Sequence, residues 1–221
     1  MNGKISNSGF RLPFYYLRRH RSLNGWGGNC IFQVIRTLII FRKAGFQLKE
    51  ATRIDGRCED YTVRRKVQEA FYAINAAWLN DIYSITSEDE KLLRAPGKIV
   101  ASGGEVFFVV VNGEAVGTCA LLKSGDHEYE LIKMGVLKEW RGQKLGEALM
   151  EAVVEFAQNK KAVKVTLETA VRLKPAIALY QKFGFKKTGG EYIHPLFGRL
   201  IFKMERNLKP ANRFWFNFKE N

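Results

Sequence analysis

From residue 59 onward the apolar positions of the chain fall into regular periods. In EDYTVRRKVQEAFYAINAAWLNDIY, Val63, Val67, Ala70, Phe71, Ile74 and Trp78 recur at helical spacing and predict one long helix. SITSEDEKLLRAP follows, with Ser87 three residues before Glu90, a capping box that opens a short helix for Pro96 to close. GGEVFFVVVNGEAVGTCALL then changes to two β-rich runs around Asn112-Gly113, a pair that tolerates the positive φ of a tight hairpin turn. A third strand runs from Tyr129 to Leu137, and alternation along it sends Glu130, Ile132 and Met134 to one face and Leu131, Lys133 and Gly135 to the other. A helix from Leu145 to Gln158 carries Leu145, Leu149, Ala152, Val153 and Phe156 on one stripe. AVKVTLET reads as a strand, KPAIALYQKF as a helix begun near Pro175, GFKKTGG as a turn into a strand, and RLIFKMERN as the last strand. The order is helices and then β-β-β-α-β-α-β-β, an α/β chain without internal repeats.

Composition changes this picture mainly at the N-terminus. The 46% hydrophobic and 26% charged content of the 221 residues is that of a globular protein. The net charge of +14 points to anionic partners. Nine of those charges are cations before Glu50, a stretch with no acid, so the rest of the chain is only mildly basic and a nucleic-acid reading loses most of its force. Residues 1–48 therefore read as a basic extension: an organellar transit segment in composition, a poorly structured arm, or upstream sequence wrongly joined to the frame. The folded unit is expected over 49–208, with a tail over 209–221. Cys30, Cys58 and Cys119 are odd in number and lack metal-ligand spacing, which argues for reduced thiols and against a metal site. IFQVIRTLIIF is too short and too interrupted by Arg36 to span a bilayer, so the expectation is a soluble, cytoplasmic protein with no membrane partner.

The candidate chemistry sits in WRGQKLGEALM. Arg141 and Lys144 stand at a helix start, where cations oppose the helix dipole, and Gly142 and Gly146 open the backbone there at a cost in helix stability. An anion resolves both features, because exposed N–H groups at a helix N-terminus make a phosphate cradle.

YELIKMGVLKEWRGQKLGEALMEAVVEFA, followed by VTLETAVRLKPAIALYQKFGF, resembles the GNAT superfamily of acetyl-CoA-dependent N-acetyltransferases. A strand, glycine-rich turn, helix, strand and then Ala-x-x-Leu-Tyr-x-Lys-x-Gly-Phe, in this order, make the resemblance specific. It implies a mostly antiparallel mixed sheet flanked by helices, with two central strands splayed apart. It further implies that the segment Arg141, Gly142, Gln143, Lys144, Leu145 and Gly146 grips the acetyl-CoA pyrophosphate, that Met134, Gly135 and Val136 pair with the pantetheine arm, and that Ala176 and Tyr180 contact the cofactor. Gly135 suits a bulge, though a glycine in a strand also serves packing. By the same resemblance Tyr180 is the acid that protonates the departing thiolate. Glu130 matches the base of the histone-acetylating branch, and the plainer account is a charged residue at a strand start. No metal is implied, and the partners are acetyl-CoA and an amine acceptor, the chain being a monomer or homodimer. Non-catalytic CoA binding, and nucleic-acid binding through the extension, are the alternatives.

Three positions depart from the pattern or add to it. Lys144 stands where many members have glycine, and Leu173 where many have Asn, so a polar cofactor contact is expected to be missing there. Pro175 fits a helix start. His194 reads as a solvent-facing loop residue, while Trp78 and Tyr83 come from the region that covers the acceptor in the family and are explained equally by helix packing.

Overall fold

The computed structural model describes residues 61–111 and 114–208, with the side chains of 61–64 left aside, and the backbone of two short strands, β1 (Thr37–Phe41) and β2 (Thr52–Arg53). Three helices, α1 (Tyr61–Ile82), α2 (Ser87–Leu93) and α3 (Pro96–Ala101), precede the hairpin β3 (Glu105–Val111) and β4 (Glu114–Gly125) and the strand β5 (Glu128–Val136). Then come α4 (Leu145–Asn159), β6 (Lys164–Ala170), α5 (Lys174–Lys182), β7 (Lys186–Ile193) and β8 (Leu200–Asn207). The eight strands form one sheet in the order β2-β1-β3-β4-β5-β6-β8-β7, antiparallel except where β1 meets β3 and β5 meets β6. Of the N-terminal extension, Thr37–Phe41 joins the sheet. The rest of it, the tail from 209, the Asn112-Gly113 turn, Cys30 and Cys58 lie outside the described residues.

Strand alternation explains how one sheet feeds two cores. Val106, Phe108 and Val110 of β3 face α1, α2 and α3, where they pack with Val67, Phe71, Ile74, Leu93 and Ile99. Phe107 and Val109 face the other way, onto Leu149, Val153 and Ala157 of α4 and onto Phe185. The stripe expected on α4 is the one it buries, and its Phe156 packs edge-on against Phe107 and Tyr129 with ring centroids 5.8 Å apart in both pairs. Each such side chain removed from water stabilises the fold by about 1.5–3 kcal/mol.

Two helix boundaries differ from the sequence reading. The capping box on α2 is made by Thr86 and Asp89, one residue earlier than Ser87 and Glu90: the Thr86 Oγ1 accepts from the Asp89 N–H, and the Asp89 carboxylate accepts from the Thr86 N–H. Pro96 opens α3 and does not merely close α2, because its missing N–H costs nothing in a first helical turn.

The strand β5 contains the feature that shapes the site. Its ladder with β4 jumps from Ile132 opposite Ala120 to Gly135 opposite Thr118, three residues against two, and Lys133 lies in the bulge with φ +49°. The extra residue breaks the alternation expected along the strand. Ile132 packs with the α1 side and Met134 with the α4 side, while Lys133 reaches Asp89 on α2. The bulge therefore falls at Lys133. Gly135 serves packing: a Cβ there would stand 2.3 Å from Trp78 Cδ1.

Candidate active site

β5 and β6 pair only from Glu128 opposite Lys164 to Leu131 opposite Leu167. Beyond that point they part, and a cleft of about 610 Å³ opens between them. The outer half of β5 forms one wall and Glu168, Thr169 and Ala170 of β6 the other. The first turn of α4 closes one end, and α5 supplies the floor.

The ladder dictates what β5 presents here. The Leu137 N–H donates to the Val116 carbonyl over 2.9 Å, so antiparallel alternation turns the N–H and C=O of Val136 away from β4 and toward the gap. The Val136 carbonyl accepts from Arg141 Nε at 3.0 Å. Arg141 also approaches Asp81, 3.7 Å from Nη2 to Oδ2, so its guanidinium is anchored at the mouth of the cleft.

At the start of α4, Lys144 is the N-cap residue in the left-handed region, φ +58°, and its side chain caps no backbone group. This explains why glycine suits that position in related loops: an L-residue there carries about 1–2 kcal/mol of steric cost. Gly142 is left-handed as well, φ +79°, with open space where a Cβ would be. The N–H groups of the first helical turn have no acceptor within the helix, and those of Leu145 and Gly146 belong to cleft-lining residues.

Tyr180 of α5 is buried and lines the same cleft, its ring tilted against Phe185. Burial pushes its phenol well above the ordinary tyrosine range, and the neighbouring Cys119 adds to this. The hydroxyl is therefore protonated throughout the physiological range. Thr169 of the same cleft has its Oγ1 buried without a hydrogen-bond partner among the described residues, a polar atom that a ligand can satisfy.

The structure thus gathers Tyr180, Glu130, Met134, Gly135, Val136, Arg141, Gly142, Lys144, Leu145, Gly146 and Ala176 around one cavity. Gln143 is exposed and does not line it. Leu173 lines it at the N-cap of α5 and makes no side-chain cap, so the missing polar group is seen directly.

The far end of the cleft holds two polar clusters that sequence reasoning missed. Asp89, fully buried, bonds Lys133 Nζ at 2.6 Å and Arg199 Nη2 at 2.6 Å, and Arg199 also donates to the Ser84 carbonyl at 3.1 Å. Burial alone would raise the Asp89 carboxyl, but hydrogen bonds from Arg199, Lys133 and the Thr86 N–H, with the Lys133 charge, hold it down at about 2. Burial in turn lowers the Lys133 ammonium, against the pull of Asp89. The Arg199 guanidinium lies over the rings of Tyr83 and Phe197.

The second cluster surrounds Glu168, which accepts from the Tyr192 hydroxyl at 2.6 Å and meets His194 Nε2 at 3.2 Å and Lys203 Nζ at 3.5 Å. His194 is thus a cleft residue, its side chain 16% exposed, and not the solvent-facing loop histidine expected. Its Nδ1 accepts from the N–H groups of Leu196 and Phe197, which leaves Nε2 to carry the proton toward Glu168. Glu130 stands beside this cluster. Burial, then the charge of Glu168, raises its carboxyl, partly opposed by Lys203.

Residues 68–185 match the model of the acetyltransferase (GNAT) family, and the chain belongs to that family. N-acetyltransferase 8B of Rattus norvegicus is 35% identical over 104 residues, covering 44% of this chain and 46% of that protein. The probable N-acetyltransferase camello of Xenopus laevis is 31% identical over 109 residues, covering 48% and 50%. The match spans about half the length of these relatives. A GNAT-family acetyltransferase structure from Staphylococcus aureus Mu50 superposes with a TM-score of 0.59 at 22% identity, covering 66% of this chain and 95% of that one, and shares the fold. No helix among the described residues is long and apolar enough to cross a membrane, and no group of His, Cys, Asp and Glu among them could hold a metal.

Proposed function

We propose that the protein transfers the acetyl group of acetyl-CoA to a primary amine by direct attack. The observation that carries this reading is the coincidence, in one cleft, of an uncapped helix N-terminus, the unpaired outer edge of β5 and the buried phenol of Tyr180. The cosubstrate supplies an activated acyl group as a thioester. The first-turn N–H groups of α4, with Gly142 leaving room and Lys144 adding charge, bind its diphosphate. The orphaned Thr169 hydroxyl and the outward backbone of Met134 and Val136 suit the amide-bearing arm. The Val136 N–H polarises the thioester carbonyl, a donor that needs no reorganisation because the β4 ladder fixes it.

Proton handling follows from two of the titratable groups in the cleft, Glu130 and Tyr180. An amine attacks only without its proton, and at neutral pH a lysine-like amine with pKa of about 10.4 is mostly charged. Glu130, whose desolvation favours taking up a proton, serves as the acceptor directly or through water. Tyr180 donates to the leaving sulfur. Its raised affinity for the proton does not disqualify it, because the thiolate departs into the same dry surroundings and is desolvated likewise.

The test is calorimetric titration with coenzyme A, then thiol release from acetyl-CoA against a panel of amino acids, polyamines and peptides. Binding with acceptor-dependent thiol release supports the reading. A folded protein that does not bind coenzyme A overturns it, and binding without release to any amine overturns the enzymatic part.

A further inference from the structure

Glu168 occupies the first position of β6 beyond its pairing with β5, where the cleft begins to widen. Glu130 is in register with Thr166, two residues before Glu168, so the three side chains share one face of the sheet. The environments of the two carboxylates differ. Glu168 receives the Tyr192 hydroxyl at 2.6 Å and lies 3.2 Å from His194 Nε2 and 3.5 Å from Lys203 Nζ. Glu130, half-buried like Glu168, receives no such set of donors among the described residues.

Local backbone features support the arrangement. Gly189 has φ +72°, and the β7–β8 register shifts between Thr188 and Tyr192, so that Tyr192 meets Ile201. The phenol there reaches back across β8 to Glu168. The backbone N–H groups of Leu196 and Phe197 fix the ring of His194. Three segments converge on one carboxylate, more than an incidental surface charge requires.

We propose that Glu168, held by Tyr192 and His194, is a positioning residue: its fixed negative charge beside Glu130 makes that neighbour the proton acceptor of the pair and gives the acceptor ammonium an anionic wall to approach. This rests on the reading of Glu130 as the base. A negative charge disfavours a second one on the same face, and Glu130, without such donors among the described residues, is the carboxyl whose proton affinity rises. The other charges facing Glu130 act in both directions. Lys203 on β8 opposes Glu168, Tyr192 on β7 is neutral, and Asp89, Lys133 and Arg199 neutralise one another to a net single positive charge at the α2 side of the cleft.

The test is a titration of the full chain carrying glutamate labelled with 13C at the side-chain carboxyl, the Glu130 signal being assigned by its loss in E130Q. In E168Q, which keeps the shape and an oxygen for the Tyr192 hydroxyl, the Glu130 midpoint moves to lower pH. In E168D, which keeps the charge, it stays near the wild-type value. In K203M, at an exposed position, it moves the other way. A midpoint unmoved in E168Q, or shifted equally in E168D and E168Q, overturns the proposal, since loss of mere packing would not follow charge. The base reading fails separately, if E130Q releases thiol to amines as fast as wild type does.

Discussion

Replacing Asp89 with asparagine should cost this fold more than any other single polar change among the described residues. The carboxylate is fully buried between Lys133 and Arg199 and also caps α2, so one side chain ties together α2, the β5 bulge and the loop before β8. Held at about 2 against an ordinary 3.8, it contributes about 2.5 kcal/mol at neutral pH, taking 1.36 kcal/mol per pH unit. Its loss also leaves two cations out of water with no counter-charge, a situation that costs about 3–5 kcal/mol when one partner of a buried pair is removed. D89N should therefore lose about 3–4 kcal/mol at pH 7. The sign of the pH dependence is set by a depressed folded value: the contribution is complete above about pH 4 and disappears as pH falls through about 2. Urea unfolding of both proteins at pH 7, 5 and 3 should show a gap that is constant between 7 and 5 and narrower at 3. A D89N protein within 1 kcal/mol of wild type at pH 7, or a gap as wide at pH 3 as at pH 7, would refute the reasoning.

Three further outcomes follow from the site. Y180F should lower thiol release by about a hundredfold or more, the usual range for a lost general acid, with calorimetric affinity for coenzyme A unchanged; equal losses in both would show that the phenol only packs. G135A pushes a methyl to within 2.3 Å of the Trp78 indole and should destabilise by about 1–3 kcal/mol with a change in tryptophan emission, whereas wild-type stability would mean that Trp78 moves aside freely. K144A should weaken coenzyme A about tenfold, the equivalent of one charge-assisted hydrogen bond, and reduce the salt dependence of binding; an unchanged affinity would take the lysine out of the phosphate site.

Local periodicity sufficed for much of this architecture and failed at identifiable places. The α4 stripe, the three-strand meander and the glycine-rich turn depend on contacts within a few residues, and they were legible in the sequence. The capping box was not, because Thr86-x-x-Asp89 and Ser87-x-x-Glu90 overlap with equal local merit. Lys133 and Arg199, distant in the chain, draw Asp89 inward and decide between them. The β5 bulge escaped a reading that assumes strict alternation. A local pattern puts His194 in solvent because its partner Glu168 is 26 residues away, beyond any turn signal. The convergence of Glu168, Tyr192 and His194 likewise needs the sheet order β6-β8-β7, which no local signal specifies.

The surplus residue at Lys133 sets the two halves of β5 out of phase, with consequences for how the strand can change over evolution. Deleting a single amino acid between Ile132 and Gly135 would restore an unbroken zigzag. Ile132, Gly135 and everything beyond them would keep their present faces, but Lys133 would be lost or turned toward α4, stripping Asp89 of a cation. Lineages descended from this arrangement should vary freely in the lengths of their outer loops while keeping the count of residues across this short stretch constant.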